Sequence, residues 1–535
     1  MAFKDGVVLK SMACVICVAV VLYGFQYLLL RRHIRNVIKV PQSMTRHGYE
    51  NLPAYSKEQD TAITHASGKS TCDSTQYRKL LTIRDRATVM ESAISRAMEE
   101  LHITKLMMKT ALAHKTSFAR LKASLKDVLL TGRSLNVGLV GGSISVGTVI
   151  YGEQYLFANR SLRLLEDVLG SPIVFQNGAV GATTTLYHIL CMDNHLDLQI
   201  LDMILWESAV NDFYGFLGPE LQEEFTRLVM KLPNQPQLVY VNFQFGKHVL
   251  EKNCVNNEQC CSNPLSKYYD VPSINMPDAV CDLIRSNRAD DLVGPDNCHP
   301  SRKAHAMMSI FLIQLLKDAI YEAIHDSLKT VLADCDFDLR KLQSPNIQSR
   351  KLPKPLFDEI RIIHPQCRST ARSQSGNINE LVPSYRGNWR LSQAKRTKGR
   401  LDTKAFWLSQ PNSIIRFRFD VKPHKNLTSN LIVMTMGDQT NGLAFLTLDK
   451  DSMYCINSHH KHNLWQFHFV KSGLPPGNHL LTVLSRDKPV RFAAIITTYD
   501  DQTQYNLPKY KPVYLKFVLE RKVVKSPQEC WETEW

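Results

Sequence analysis

The chain has 535 residues, 44% hydrophobic and 21% charged, which excludes a disordered or low-complexity protein and allows more than one packed core. Its net charge of +15 suits an anionic partner such as nucleic acid, a membrane surface or an acidic glycan, and equally a basic, solvated surface. Zinc-finger spacing, RRM aromatic motifs and basic-zipper heptads are all missing, so nucleic acid is set aside as a partner.

After a short tail (1–10), the stretch 11–30 reads SMACVICVAVVLYGFQYLLL, apolar, uncharged and long enough to span a bilayer as a helix. Arg31 and Arg32 follow it directly, where a cleaved signal peptide would show a small-x-small site, so it reads as an uncleaved signal anchor. The flanking charges, Lys4 and Lys10 before it and Arg31, Arg32, Arg35 and Lys39 after, favour a cytoplasmic bulk by the positive-inside rule. Two features oppose that. Eleven cysteines beyond the anchor (Cys72, Cys191, Cys254, Cys260, Cys261, Cys281, Cys298, Cys335, Cys367, Cys455 and Cys530) are scattered without CxxC pairs, a pattern for disulfides rather than zinc. Sequons occur at Asn159-Arg-Ser161 and Asn426-Leu-Thr428, so Asn159 and Asn426 are glycosylation candidates. The expectation is a single-pass membrane protein with its bulk in the secretory lumen or at the cell surface.

Residues 31–130 read as a polar stalk followed, from about Ser74, by helical spacing, a solvated layer packed on the next domain. Over 131–325 short apolar runs alternate with helical segments. Strands are expected at Leu135–Val140, Pro172–Gln176, Leu201–Trp206 and Leu238–Phe243, with a short fifth near Tyr269–Ile274. Helices are expected at Glu153–Leu169, Thr183–Met192, Pro219–Leu232 and Ala304–Ile324. Strands separated by helices imply a doubly wound parallel sheet, with function at the carboxyl ends of the strands. Residues 326–385, rich in Ser, Pro and charge, read as a linker. From 386 to 520 the period drops to two, with turn residues between runs such as Ile414–Asp420, Leu431–Met436 and Val490–Ile496, the pattern of a separate β-sandwich.

Chemistry gathers at four strand-end segments. Gly141-Gly142-Ser143-Ile144-Ser145 follows the first strand, and a serine on a tight glycine turn is lifted to the rim of the sheet. Asn177-Gly178-Ala179-Val180-Gly181-Ala182-Thr183 follows the second strand, and Glu207-Ser208-Ala209-Val210-Asn211-Asp212 the third. Glycine offers a backbone N–H and asparagine a side-chain amide to a developing oxyanion. Asn211-Asp212 also fits a plain turn or helix cap. Asp296-Asn297-Cys298-His299 precedes the last helix, and its offset lets the carboxylate reach the imidazole and leave Nε2 for a serine. Glu207 stands at the site edge in a structural role.

These four ordered blocks resemble the SGNH (GDSL-like) hydrolases over about 133–325, down to His305 in the last helix. Two positions depart from that family: Gly142 stands where it has Asp beside the nucleophile, and Ala209 where its third block has Gly. The resemblance implies a flavodoxin-like three-layer α/β/α domain. It also implies Ser143 as nucleophile, His299 as base and Asp296 as its orienter, with the oxyanion hole formed by Ser143 N–H, Gly181 N–H and Asn211. No metal or cofactor is implied. The expected activity is hydrolysis of acyl esters, acetyl foremost, on an acylated carbohydrate or similar substrate. A glycan O-acyltransferase with the same triad and a non-catalytic glycan-binding protein are the alternatives. In the β domain Trp389, Trp407 and Trp465 are candidates for stacking on sugars, or else parts of its core.

Overall fold

The computed structural model describes residues 75–501, apart from 113, 115–117, 208, 215–218, 244–261, 334–351, 358–362, 371–377, 393–395, 398–399, 402–405, 425–426, 450–452 and 461–464, together with Val523–Val524. The anchor expected at 11–30 and the sequon at Asn426 therefore lie outside the described residues. Among the described residues no helix is long and apolar enough to cross a membrane.

Five parallel strands form the first sheet: β1 (Leu135–Gly141), β2 (Ile173–Asn177), β3 (Met203–Glu207), β4 (Gln237–Asn242) and β5 (Ser273–Asn275), in the order β2-β1-β3-β4-β5. That is the flavodoxin-like order expected, and its direction reverses between β1 and β3, where the crevice of such folds opens. Apart from the edge strand β2, the strands are buried on both faces, which explains their nearly continuous apolar runs. Alternate residues serve opposite layers. Val137, Leu139, Met203, Leu205, Val239 and Val241 join one cluster, while Val140, Ile204, Trp206, Leu238 and Tyr240 join the other.

The first cluster is closed by helices α1 (Thr75–Glu100), α2 (Ala119–Thr131), α3 (Phe157–Leu169) and a long helix, Arg302–Ala333. Leu80, Ile83, Ala87, Met90 and Ile94 recur at helical spacing along α1 and pack with Phe311, Leu315 and Leu316 of the long helix. The N-terminal helices thus belong to the same core as the sheet. On the other face lie α4 (Thr185–Cys191) and, after a helix at Ala209–Tyr214 (α5), α6 (Pro219–Met230).

The stretch expected as linker is partly structured. The long helix, α7, runs to Ala333 because apolar spacing continues through Leu328 and Val331, both buried. A strand, β6 (Ile363–Ser369), also lies inside 326–385 and pairs antiparallel with a later strand.

Beyond it are β7 (Ser384–Arg386), β8 (Arg390–Ser392), a small hairpin of β9 (Arg396–Thr397) and β10 (Arg400–Leu401), β11 (Phe406–Leu408), β12 (Ser413–Val421), β13 (Leu427–Met436), β14 (Leu443–Leu448), β15 (Met453–Asn457), β16 (Trp465–Ser472), β17 (Gly477–Ser485), β18 (Arg491–Asp501) and β19 (Val523–Val524). They form two six-stranded sheets, β16-β13-β18-β11-β8 with β6 beside β18, and β19-β15-β14-β17-β12-β7. Ile415, Phe417 and Val483 of one sheet meet Leu431, Val433 and Phe492 of the other in a common core, which makes a sandwich. The strand β13 is buried almost throughout because it has two apolar faces. Leu431 and Val433 point into the sandwich, whereas Ile432, Met434 and Met436 join the cluster of α4 and α6. One sheet of the sandwich is therefore a further layer on the α/β domain. A disulfide between Cys191 at the end of α4 and Cys367 in β6 crosses this interface.

Candidate active site

The chain leaves β1 through Gly141 and enters a helical turn, Ser143–Val146. A side chain at Gly141 would lie 2.5 Å from Ser145 Oγ and 2.6 Å from the Glu207 carbonyl, so only glycine fits. At Gly142 a Cβ would stand 2.0 Å from Asn211 Nδ2. Ser143 opens the turn, where backbone N–H groups have no intrahelical acceptor.

The fourth segment meets this turn across the sheet edge. His299 Nε2 is 2.7 Å from Ser143 Oγ, and His299 Nδ1 is 2.6 Å from Asp296 Oδ2. With Nδ1 protonated toward Asp296, Nε2 accepts from the Ser143 hydroxyl. The other carboxylate oxygen of Asp296 accepts the backbone N–H groups of Cys298 and His299 at 3.1 and 3.0 Å. Partial burial pushes the Asp296 carboxyl up, but those amides and the imidazole outweigh it and hold it below the usual carboxylate range. His299 and Asp296 keep 17% and 29% of their side-chain exposure, so a substrate can reach them.

Asn211 and Gly181 come to the same edge. Asn211 Nδ2 donates to the Thr183 carbonyl at 2.6 Å, tying α5 to the glycine loop. Its neighbour Asp212, fully buried, accepts from Thr185 N at 2.8 Å, from Thr185 Oγ1 at 2.5 Å and from Gln222 at 3.0 Å. Burial lifts Asp212 to about 6 against those bonds. In the loop itself, Val180 N donates to Gly141 O at 3.0 Å, and Asn177 donates to Ser145 O at 3.2 Å. Ala182 has φ +61°, a left-handed conformation that costs a residue with a Cβ on the order of 1 kcal/mol.

Beneath the Ser143 turn lies Glu207, 2% exposed. Ser145 Oγ donates to it at 3.1 Å, and the backbone N–H groups of Gly142 and Ser145 donate to it as well. Burial is the largest influence and, with nearby Asp212, lifts its carboxyl to about 8 despite those donors. Glu207 therefore anchors the turn from below as a neutral acid at neutral pH. His305 is buried between Phe157 and Phe243, and burial followed by the nearby charges of His299 and Arg160 lowers it to about 3, so it is a neutral core group.

Sequence reasoning named Asn177 and Thr183 in the glycine loop but not their bonds, and it missed the contact that Trp465 of the β domain makes with that loop. Trp465 Nε1 donates to Gly181 O at 2.9 Å although 284 residues separate them. Trp465 and Trp389 are 8% and 5% exposed, too buried to stack on a sugar. Trp407 is half-buried, with Nε1 on Asn379 Oδ1 at 2.9 Å and Tyr385 beside it. Asn159, in the first turn of α3, is half-buried and donates to the Glu153 carbonyl at 2.7 Å.

No family model matches the chain, and no curated protein matches it in sequence. Among solved structures it is similar to a two-domain esterase active on acetylated mannans, seen alone and co-crystallized with mannopentaose. Each shares 15% identity at a TM-score of 0.51, over 74% of this chain and 98% of that one. A lipase/acylhydrolase from Enterococcus faecalis is similar over 34% of this chain and 96% of its own, at 12% identity and a TM-score of 0.29, a likeness too slight to argue from. The likeness to the two-domain structures shows that the chain shares their fold, here a parallel α/β domain joined to a β domain.

Proposed function

We propose that the protein is a serine esterase that removes acyl groups, acetyl above all, from glycans, with Ser143 as nucleophile. The observation that carries this reading is the unbroken chain from Asp296 through His299 to Ser143 at the carboxyl edge of a parallel sheet. Ser143 Oγ attacks the ester carbonyl and passes its proton to His299 Nε2, while Asp296 stabilises the imidazolium. The carbonyl oxygen becomes an oxyanion facing Ser143 N–H, Gly181 N–H and the Asn211 amide. Collapse expels the alcohol, which takes the proton from His299. Water, deprotonated by His299, then cleaves the acyl-enzyme to carboxylate and regenerates Ser143. Each oxyanion donor contributes roughly 100-fold or more to the rate.

The glycan assignment draws on the two-domain plan, shared with a structure active on acetylated mannans. We further propose that segment 11–30 tethers the enzyme in the secretory lumen or at the cell surface. The Cys191–Cys367 disulfide, and those engaging Cys281 and Cys455, support an oxidising compartment.

The test is Ser143→Ala in purified protein, assayed on acetyl esters. Loss of at least about 10⁴-fold in kcat is expected, together with loss of fluorophosphonate labelling. Undiminished hydrolysis by the variant would sink the reading.

A further inference from the structure

We propose that Trp465 is a positioning residue for the oxyanion hole, so that the β domain sets the turnover rate of the α/β domain's chemistry. The inference rests on the reading of Ser143 as nucleophile and of Gly181 N–H as an oxyanion donor.

Gly181 lies between two peptide planes. The plane before it carries Val180 O and Gly181 N–H, and Thr183 holds that plane from within the loop: Thr183 N and Oγ1 donate to Val180 O at 3.3 and 2.6 Å. The plane after it carries Gly181 O and Ala182 N–H, and Trp465 holds that one from outside, with Nε1 2.9 Å from Gly181 O. A glycine has no side chain to resist rotation about its own Cα, so its N–H direction depends on what fixes the two planes. The outer plane leads into Ala182 at φ +61°, a conformation that relaxes readily unless its surroundings hold it.

The indole is itself held. Trp465 opens β16, paired with Met436 of β13, and is 8% exposed within the cluster shared by the two domains. Cys191–Cys367 and the bond from Asn194 Nδ2 to Cys367 O at 3.0 Å fix the far end of the same loop-helix unit to β6. The β domain thus grips the oxyanion loop and the helix behind it at both ends. A donor placed this way matters where charge builds on the oxyanion and little where substrate first binds.

The experiment compares the full-length enzyme with Trp465→Phe, which keeps an aromatic ring and deletes the N–H. A second variant carries benzothienylalanine at the same position, keeping the bicyclic shape with sulfur in place of N–H. In both, kcat is expected to fall roughly 10-fold with KM unchanged. The affinity for a boronic-acid tetrahedral analogue should weaken by the same factor. A merely structural tryptophan would lower the melting temperature and leave kcat and analogue affinity intact. Unchanged kcat in the benzothienyl variant, or a kcat loss confined to Trp465→Phe, overturns the proposal. Retained activity in Ser143→Ala defeats the underlying reading instead, so the two failures are told apart by different variants.

Discussion

At Gly142 a side chain would begin 2.0 Å from Asn211 Nδ2, which is itself held by the Thr183 carbonyl at 2.6 Å. The SGNH-like pattern has an aspartate at this position, and glycine here is a departure from it that removes no catalytic atom. In the structure it is the space that Asn211 occupies. If Asn211 is the oxyanion donor proposed above, Gly142→Asp, which installs the residue of that pattern, should lower kcat by roughly 100-fold with the circular dichroism spectrum unchanged. Wild-type turnover in that variant would show that Asn211 has another route to the site. Below the same turn, Glu207 sets a pH dependence of stability. Burial lifts its carboxyl from an ordinary 4.5 to about 8, so the folded chain keeps a proton that the unfolded chain releases between those values. Its contribution is complete below about 4.5 and is lost as pH rises through about 8. Asp296 acts in the opposite sense: its contribution is present above the ordinary carboxylate range and is lost as pH falls through its lowered value. Glu207→Gln, which cannot ionise, should flatten the fall in urea midpoint from pH 4.5 to 8, and an unchanged slope would remove Glu207 as its source.

At the scale of elements, α4 is buried along its whole length, from Thr185 to Cys191, and its neighbours fix it at both ends. Asp212 meets its first backbone N–H, and Cys367 bonds its last residue. The disulfide closes a sequence separation of 176, so its loss restores much freedom to the unfolded chain. The paired Cys191→Ala and Cys367→Ala replacement should cost roughly 2–5 kcal/mol in denaturant unfolding. A midpoint equal to wild type would mean that the shared apolar cluster alone docks the domains. Elements with strong periodicity were readable in order and type, as with β1 to β4, β12, β13 and β18. The strand β6 was not, because Ile363-His364-Pro365-Gln366-Cys367-Arg368-Ser369 has a proline and little alternation. A proline suits a strand that pairs along one side, and among the described residues β6 pairs only with β18.

At the scale of the molecule, the order of an α/β sheet followed by a β-sandwich was legible because the apolar period changes from helix-and-strand alternation to two. The site was legible wherever a motif is local: Gly141 to Ser143 on one turn, and Asp296 with His299 three residues apart. Contacts made by folding over long separations were not legible. Nothing in the sequence near Trp465 points to Gly181, and a tryptophan in a strand reads equally well as core or as a sugar platform. The doubly apolar β13 carries the clearest hint, since a run as continuous as Leu431-Ile432-Val433-Met434 needs cover on both faces.

The described stretch 352–357 between the domains is strapped down as well. Leu356 N and Phe357 N donate to Glu223 on α6 at 2.5 and 2.8 Å, and Arg227 donates to Pro353 O at 2.8 Å. With a common apolar cluster on one side and these bonds on the other, the β-sandwich is not an interchangeable cassette. A foreign module in its place would leave Trp206, Phe225 and their neighbours without a wall and Gly181 without its indole. Shuffling whole modules is therefore closed to any lineage that keeps this interface.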